Sequence, residues 1–294
     1  VILNIFAATF VFRRVNMRKL LITAALVTLL PLNLFAWDRS YVGDRYQAVH
    51  NRVTSVEVLG WQTNLDGNVN VDDFDVDLDS DANFDDENTL GLRISHVLSQ
   101  KSLITLSYMK TDFSGTIKTP GIKFNGKIYK VGASADIENS WLDLTYAHNL
   151  VQADSEKVNG ITKEAFYLDG LLGVKFGSAE ISASGRDNIT NAYIEDSWSE
   201  DFPVPYIGLA AGGQLSKNVW ARGHFKYISV NAGGNDALHQ DYGINVALRL
   251  NPDSPDTEWF VDLGYKGVKY DVDADNDNVD LKYCGPTLGV FARF

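Results

Sequence analysis

Alternation at period two is the feature that most limits what this chain can become. In TLGLRISHVLS (89–99), Leu90, Leu92, Ile94, His96 and Leu98 fall on one face and Gly91, Arg93 and Ser95 on the other. SLITLSYMKT (102–111) opposes Ile104, Leu106 and Tyr108 to Thr105, Ser107 and Met109. EAFYLDGLLGVKF (164–176) opposes Phe166, Leu168, Leu172, Val174 and Phe176 to Tyr167, Asp169, Gly173 and Lys175. VWARGHFKYIS (219–229) sets Val219, Ala221, Phe225 and Tyr227 against Arg222, His224 and Lys226. DYGINVALRL (241–250) and WFVDLGY (259–265) repeat the pattern, with Asn245, Arg249 and Asp262 on their polar faces. Successive side chains of a strand point to opposite faces, so each segment reads as a strand with one apolar and one polar side.

The alternation continues to the last residue. TLGVFARF (287–294) places Leu288, Val290, Ala292 and Phe294 at every second position. Chain ends of soluble domains fray in water, whereas this end is patterned for full pairing in a sheet.

Connections follow a second pattern, short then long. Tight links are expected at 100–101, 137–139, 177–178, 216–217 and 251–256, and long polar links at 65–87, 114–122, 152–162, 190–202, 232–237 and 273–278. Between them the pattern predicts twelve strands, at 53–64, 88–99, 102–113, 123–136, 140–151, 163–176, 178–189, 203–215, 218–231, 238–250, 257–272 and 279–294. An even number of strands with short turns on one side and long loops on the other is the grammar of an antiparallel up-and-down transmembrane β-barrel, in which closure leaves no unpaired edge in lipid.

The amino-terminal region agrees with export. Arg18 and Lys19 form a charged n-region, Leu20–Leu30 an apolar h-region, and a short stretch ends at Ala36, so residues 1–36 read as a signal peptide cleaved after Ala36. Met17 stands directly before the n-region, which allows residues 1–16 to be an over-extended start. A membrane anchor competes with this reading, but the h-region is shorter than the ~20 residues a span needs. Residues 37–52 then form a periplasmic N-terminal segment and 53–294 the barrel.

The signal region holds four of the 26 basic residues and no acidic ones, so the remaining chain carries 22 basic against 38 acidic residues, a formal charge of −16. Such a charge repels phosphate and excludes nucleic acid as a partner. One cysteine, Cys284, excludes an internal disulfide framework.

The signal, the strand grammar and the terminus together resemble bacterial outer-membrane β-barrel proteins of a small porin-like class. In that family a final Phe preceded by alternate aliphatic residues is read by the insertion machinery, and Leu288, Val290, Ala292 and Phe294 match that spacing, with Pro286 where a further aromatic would strengthen it. The resemblance implies an outer-membrane location, with the barrel assembly machinery, membrane lipid and lipopolysaccharide as partners. A soluble barrel would turn its apolar face inward. Two features favour the membrane: aromatics gather at strand ends near the short turns (Trp141, Phe176, Trp220, Trp259, Phe294), and the polar face is charged. Its expected lumen-lining residues are Arg93, Asp143, Asp169, Lys175, Glu180, Arg186, Arg222, His224, Lys226, Arg249, Asp262 and Arg293.

No family motif of a lipase, protease or lipid-modifying enzyme is present, and no catalytic residue is expected. His96 and His148 fall on the apolar face, and His239 with Asp241 is the one His/Asp pair worth testing. Acidic stretches at 66–88 and 271–278 place Asp73, Asp75, Asp77, Asp79, Asp273, Asp275 and Asp277 at alternate positions. They lack the central Gly and final Glu of an EF-hand loop, so they read as solvated loops with weak, diffuse Ca²⁺ or Mg²⁺ binding and no dedicated site or cofactor. Three functions stay open, in this order: a small porin for passive diffusion of small solutes, a closed structural or adhesion barrel, and a rim enzyme acting on lipid or peptide.

Overall fold

The computed structural model describes residues 54–71, 74–78, 80–99, 101–124, 126–158, 161–216, 218–232, 235–251, 257–274 and 277–294. The expected signal peptide (1–36) and the expected periplasmic segment 37–52 lie outside them. The described residues form strands β1 (Thr54–Val71), β2 (Phe74–Asp77), β3 (Ala82–Phe84), β4 (Glu87–Ser99), β5 (Ser102–Ile117), β6 (Lys123–Phe124), β7 (Lys127–Ile128), β8 (Ser134–Val158), β9 (Ile161–Arg186), β10 (Tyr193–Ser216), β11 (Val219–Ala232), β12 (Asn235–Arg249), β13 (Glu258–Ala274) and β14 (Asp277–Arg293). Among them no helix is long and apolar enough to cross a membrane.

Ten of these strands, β1, β4, β5 and β8–β14, pair antiparallel with their neighbours in chain order, and β14 returns to β1. β2 and β3 add to the rim on β1 and β5, and β6–β7 form a separate hairpin. The seam is complete to its end, since the Thr54 N–H donates to Phe294 O at 3.0 Å and the Phe294 N–H to Thr54 O at 2.9 Å. Following paired residues around the wall from Thr54 through His96, Ile104, Tyr146, Leu172, Ile207, Tyr227, Gln240, Lys269 and Lys282 returns to β1 at Asp66, twelve residues up the strand. Ten strands with that stagger tilt by about 40°.

The barrel therefore has ten strands rather than the expected twelve. The two tight links at 137–139 and 177–178 are not turns. Ile137–Asn139 pair with Phe113–Thr111 on one side and Ile181–Ala179 on the other, inside β8. Gly177 and Ser178 pair with Trp141 and Ser140 and with Phe202 and Asp201, inside β9. Gly177 stands there because a Cβ would lie 2.6 Å from the Phe202 ring. Residues 123–136, expected as a strand, are mostly a loop carrying β6–β7. The expected loop at 152–162 is instead the end of one long hairpin, with Val158 opposite Ile161. The segment 190–202, expected as a loop, is largely β10.

Parity along each strand fixes what faces out. Val58, Leu92, Leu106, Leu142, Leu172, Ile207, Phe225, Ile244, Leu263 and Leu288 are all exposed large apolar side chains, and together they ring the outer wall. Tyr108, Tyr227 and Tyr265 lie at the upper edge of this belt and Trp259 and Phe294 at the lower edge. An apolar band about 25 Å tall with aromatic borders is the lipid-facing surface of an outer-membrane barrel. The longest links, from β1 to β4 and from β5 to β8, lie on the side away from Thr54 and Phe294, so the Thr54 side is the periplasmic end by the same rule. Trp141 and Trp220, expected in the lower girdle, point inward instead, because their strands place them on the same parity as Asp143 and Arg222.

Above the belt the outward face becomes polar without a change of parity. On β5, Lys110 and Asp112 continue the row of Leu106 and Tyr108, and Lys110 pairs with Glu138 at 2.6 Å. The inward row becomes apolar at the same height, with Phe113 and Ile117 fully buried. Leu65, Val69, Ile137, Val268, Leu281 and Tyr283 join them in one core, capped by Leu78, Ile122, Phe124 and Tyr129. On one side this extension is open. β10 pairs with β11 only from Ile207 onward, and the residues just above are Pro203 and Pro205, which have no N–H to give to a ladder. The β9–β10 ladder runs on unbroken past both prolines, so it is the β11 side that they interrupt.

Candidate functional site: the barrel interior

Inside the belt, three levels follow one another from the periplasmic end. The lowest is aromatic and ionic. Phe260 and Phe291 stack with ring centroids 4.4 Å apart, with Ala247 and Trp220 against them. Glu258 joins Arg249 at 2.6 Å and Arg293 at 3.6 Å, and the Arg293 guanidinium lies over Phe260.

The middle level is a network of matched charges. Glu57, 4% exposed, accepts from Arg93 at 2.8 Å and Arg222 at 3.1 Å, and Arg222 also binds Asp262. Asp143 accepts from Lys226 at 2.6 Å and from the Tyr206 hydroxyl, which also meets Thr145. Asp241 takes the fully buried Lys175 at 2.9 Å and the His224 ring at 3.1 Å. Asn149 donates to Asp169 at 3.0 Å. Buried charges are costly unless paired and hydrogen-bonded, and neighbouring strands here supply both signs at one height.

The upper level is aromatic. Trp61 and Trp141 meet edge to face at 6.5 Å, Trp141 and Tyr283 at 6.2 Å, and Phe113 and Tyr283 at 5.8 Å. The Lys266 ammonium lies 5.0 Å and 5.9 Å from the Trp61 and Trp141 ring centroids. His239 stacks on Tyr270 at 4.6 Å, and among the described residues neither of its ring nitrogens has a hydrogen-bond partner.

Of the residues expected to line the lumen, Arg93, Asp143, Asp169, Lys175, Arg222, His224, Lys226, Arg249, Asp262 and Arg293 all face inward. Glu180 and Arg186 do not. They are exposed on the outer face of the extension, because β9 is continuous and its parity is fixed by Lys175. The sequence-adjacent pair His239 and Asp241 shares a face without bonding, since His224 and Lys175 occupy the carboxylate. His96 and His148 face outward near the periplasmic border, His96 Nδ1 2.9 Å from the Thr54 hydroxyl and His148 Nδ1 3.3 Å from that of Ser102. Leu288, Val290 and Ala292 face outward opposite Gly60, Val58 and Val56, and Phe294 closes the seam.

Sequence reasoning missed Glu57, Lys266 and Glu258. Each could have been found by extending the parity of its strand: Glu57 lies between Val56 and Val58, Lys266 follows the outward Tyr265, and Glu258 precedes the outward Trp259.

In the outer loops, Asp73, Asp79 and Asp275 lie outside the described residues. Asp77 serves local geometry, accepting the Ser80 N–H at 2.8 Å. Among the described residues no group of three or more His, Cys, Asp or Glu is arranged to hold a metal ion. Burial pushes the Tyr129 phenol up to about 12, with Asp196 and Glu195 adding to the effect. The Asp187 carboxylate is held below its ordinary value by hydrogen bonds from the Thr190 N–H and hydroxyl and the Ile189 N–H.

No protein-family model matches the sequence. A search of curated proteins finds no matching sequence. Solved structures do match in fold. The outer membrane protease OmpT from Escherichia coli is 10% identical, with 83% of this chain and 97% of that chain covered and a TM-score of 0.47. The translocator domain of autotransporter NalP from Neisseria meningitidis is 13% identical over 95% of each chain, at 0.41. Ail, the attachment invasion locus protein of Yersinia pestis, is 12% identical over 83% of this chain and 99% of that one, at 0.34. All are outer-membrane β-barrels. The closed wall, lipid-facing belt and polar interior described above give this chain the same fold class and an outer-membrane location.

Proposed function

We propose that this chain is a closed outer-membrane barrel that acts through its extracellular extension, as a structural or adhesive surface, rather than as a diffusion pore. The observation that carries the reading is the layer of Trp61, Trp141, Tyr283 and Phe113 across the interior, between the charged level and the apolar core above. A small porin was the first expectation from the charged polar face, and it needs a continuous water path. Two features weigh against one here: the charges pair across the lumen, and the upper third of the interior is packed like a soluble core. The reading includes no catalytic step. Lipopolysaccharide, and Ca²⁺ or Mg²⁺ held diffusely by the acidic outer loops, are the contacts we propose for the extension. Assembly through the terminal Leu288, Val290, Ala292 and Phe294 completes the proposal.

Planar-bilayer conductance of the refolded barrel tests it. The wild type is expected to give no single-channel steps, and the Trp61→Ala, Trp141→Ala, Tyr283→Ala triple variant is expected to give them. Regular steps from the wild type overturn the closed reading in favour of the porin.

A further inference from the structure

We propose that the cavity in the charged level of the interior binds a small oxyanion, of carboxylate or phosphate size, through the Lys266 ammonium. The cavity measures about 180 Å³, space for several waters at ~30 Å³ each or for one such anion. Small side chains create it: Ser95, Ser107, Ala147 and Ala210 face it from β4, β5, β8 and β10. Arg93, beside Ser95 and paired with Ser107, and Lys226 and Lys266 from β11 and β13 also line it.

The sign of the ligand follows from which groups are already engaged. Every carboxylate lining the cavity has partners. Asp143 holds Lys226 and Tyr206, Asp241 holds Lys175 and His224, and Asp169 accepts from Asn149. Arg93 and Arg222 share Glu57. Lys266 is different. Among the described residues it forms no ion pair or hydrogen bond; its ammonium faces the Trp61 and Trp141 rings, and the Asp241 carboxylate, already held by Lys175 and His224, acts on it from beyond ion-pair distance. A π face attracts a cation but does not replace acceptors for its three N–H donors. A cation entering the cavity would meet Arg93, Lys226 and Lys266, and a ligand without acceptor atoms would leave the Lys266 N–H donors unsatisfied. An oxyanion supplies those acceptors together with a charge opposite to that of the ammonium.

The cavity extends from Ser95, Ala147 and Asp169 to Met109 and Trp141 under the aromatic layer.

Isothermal titration of the refolded barrel with sodium phosphate and sodium acetate, at constant ionic strength set with sodium chloride, tests the site. Trp61 and Trp141 touch Lys266, so tryptophan emission is a second readout. Saturable binding of at least one anion is expected, at least tenfold weaker in Lys266→Gln and retained in Lys266→Arg. Ser107→Leu fills the cavity without changing any charge and is expected to abolish binding as well. Heat-modifiable migration on gels shows which variants have folded. If Lys266→Gln fails to fold, Ser107→Leu decides: unchanged binding there overturns the proposal. Absence of saturable binding in the wild type, or equal affinity in folded Lys266→Gln, also overturns it.

Discussion

The barrel interior below the aromatic layer and the interior above it are built from the same strands with opposite chemistry. On β13, Trp259, Val261, Leu263 and Tyr265 face lipid while Glu258, Asp262 and Lys266 face in; a few residues higher, Lys269 faces water, bonded to Asp271 and Asp280, while Val268 is fully buried. β5 changes in the same way between Tyr108 and Phe113. The strand keeps its parity, and its surroundings change. Where lipid lies outside, burying apolar groups inside brings no advantage, so the interior can hold charge. Where water lies outside, the hydrophobic effect again fills the inside. On β5 and β13 the level of this inversion marks the upper membrane border.

Asp241→Ala should give the largest effect, because it leaves Lys175 and His224 unpaired in the lower interior. A loss of about 3–5 kcal/mol is expected in urea unfolding of the refolded barrel. Replacing Lys175 and Asp241 together by Met and Leu should recover most of it. A small effect of Asp241→Ala alone would mean that water reaches this level freely, and the contrast between the two interiors would fail.

His239 stands at the boundary, a polar ring in aromatic company. His239→Phe keeps the stack on Tyr270 and removes two unpartnered nitrogens, so a gain of about 1–3 kcal/mol is expected in the same assay. A loss would show that the imidazole has a polar partner such as ordered water, and that the charged level reaches higher than its side chains indicate.

In the upper interior, Ile137→Val should cost about 0.5–1.5 kcal/mol, as in the core of a soluble domain. No measurable cost would mean that the extension is loosely packed, and that its resemblance to a water-soluble core is one of composition only.

The smallest effect concerns the extracellular loop after β9. The Asp187 pKa is depressed on folding, so its hydrogen bonds stabilise the loop fully above the ordinary value of 3.8 and are lost as pH falls through the lower folded value. Exchange of the Thr190 amide hydrogen should accelerate below that range while the barrel strands stay protected. Uniform acceleration would show that the loop and the wall open together.

Much of this was legible in the sequence, because parity is a local property. The phase of six strands, which puts Arg222, His224 and Lys226 on one row, follows from alternation alone, and the aromatic strand ends and the charge of that face point the row inward. Strand count did not follow, because Ile137–Asn139 and Gly177-Ser178 look like turns until their neighbours on both sides are known. That error reversed the phase of the segment after Gly177 and put Glu180 and Arg186 on the wrong face. The partners of Glu57 and Asp241 lie up to 165 residues away in sequence, and only closure of the wall brings them together. The polarity inversion was present in SYMKTDFSGTI, where Tyr108 is followed by Lys110 and Asp112 on one parity and Met109 by Phe113 and Ile117 on the other.

Pro203 and Pro205 carry a consequence for how copies of this protein share a crowded membrane. A tall extracellular sheet that ends in an open edge is a template on which a neighbouring chain can add a strand, and such growth would link barrels into arrays. Two nitrogens without hydrogen interrupt that template just above the lipid, where adjacent barrels come closest. Farther up, the Asp196 carboxylate accepts the Ser197 N–H and Lys127 donates to the Glu195 carbonyl, so these backbone groups are also engaged. On the β10 side of the opening the extension thus offers a neighbouring chain an interrupted edge rather than a continuous one.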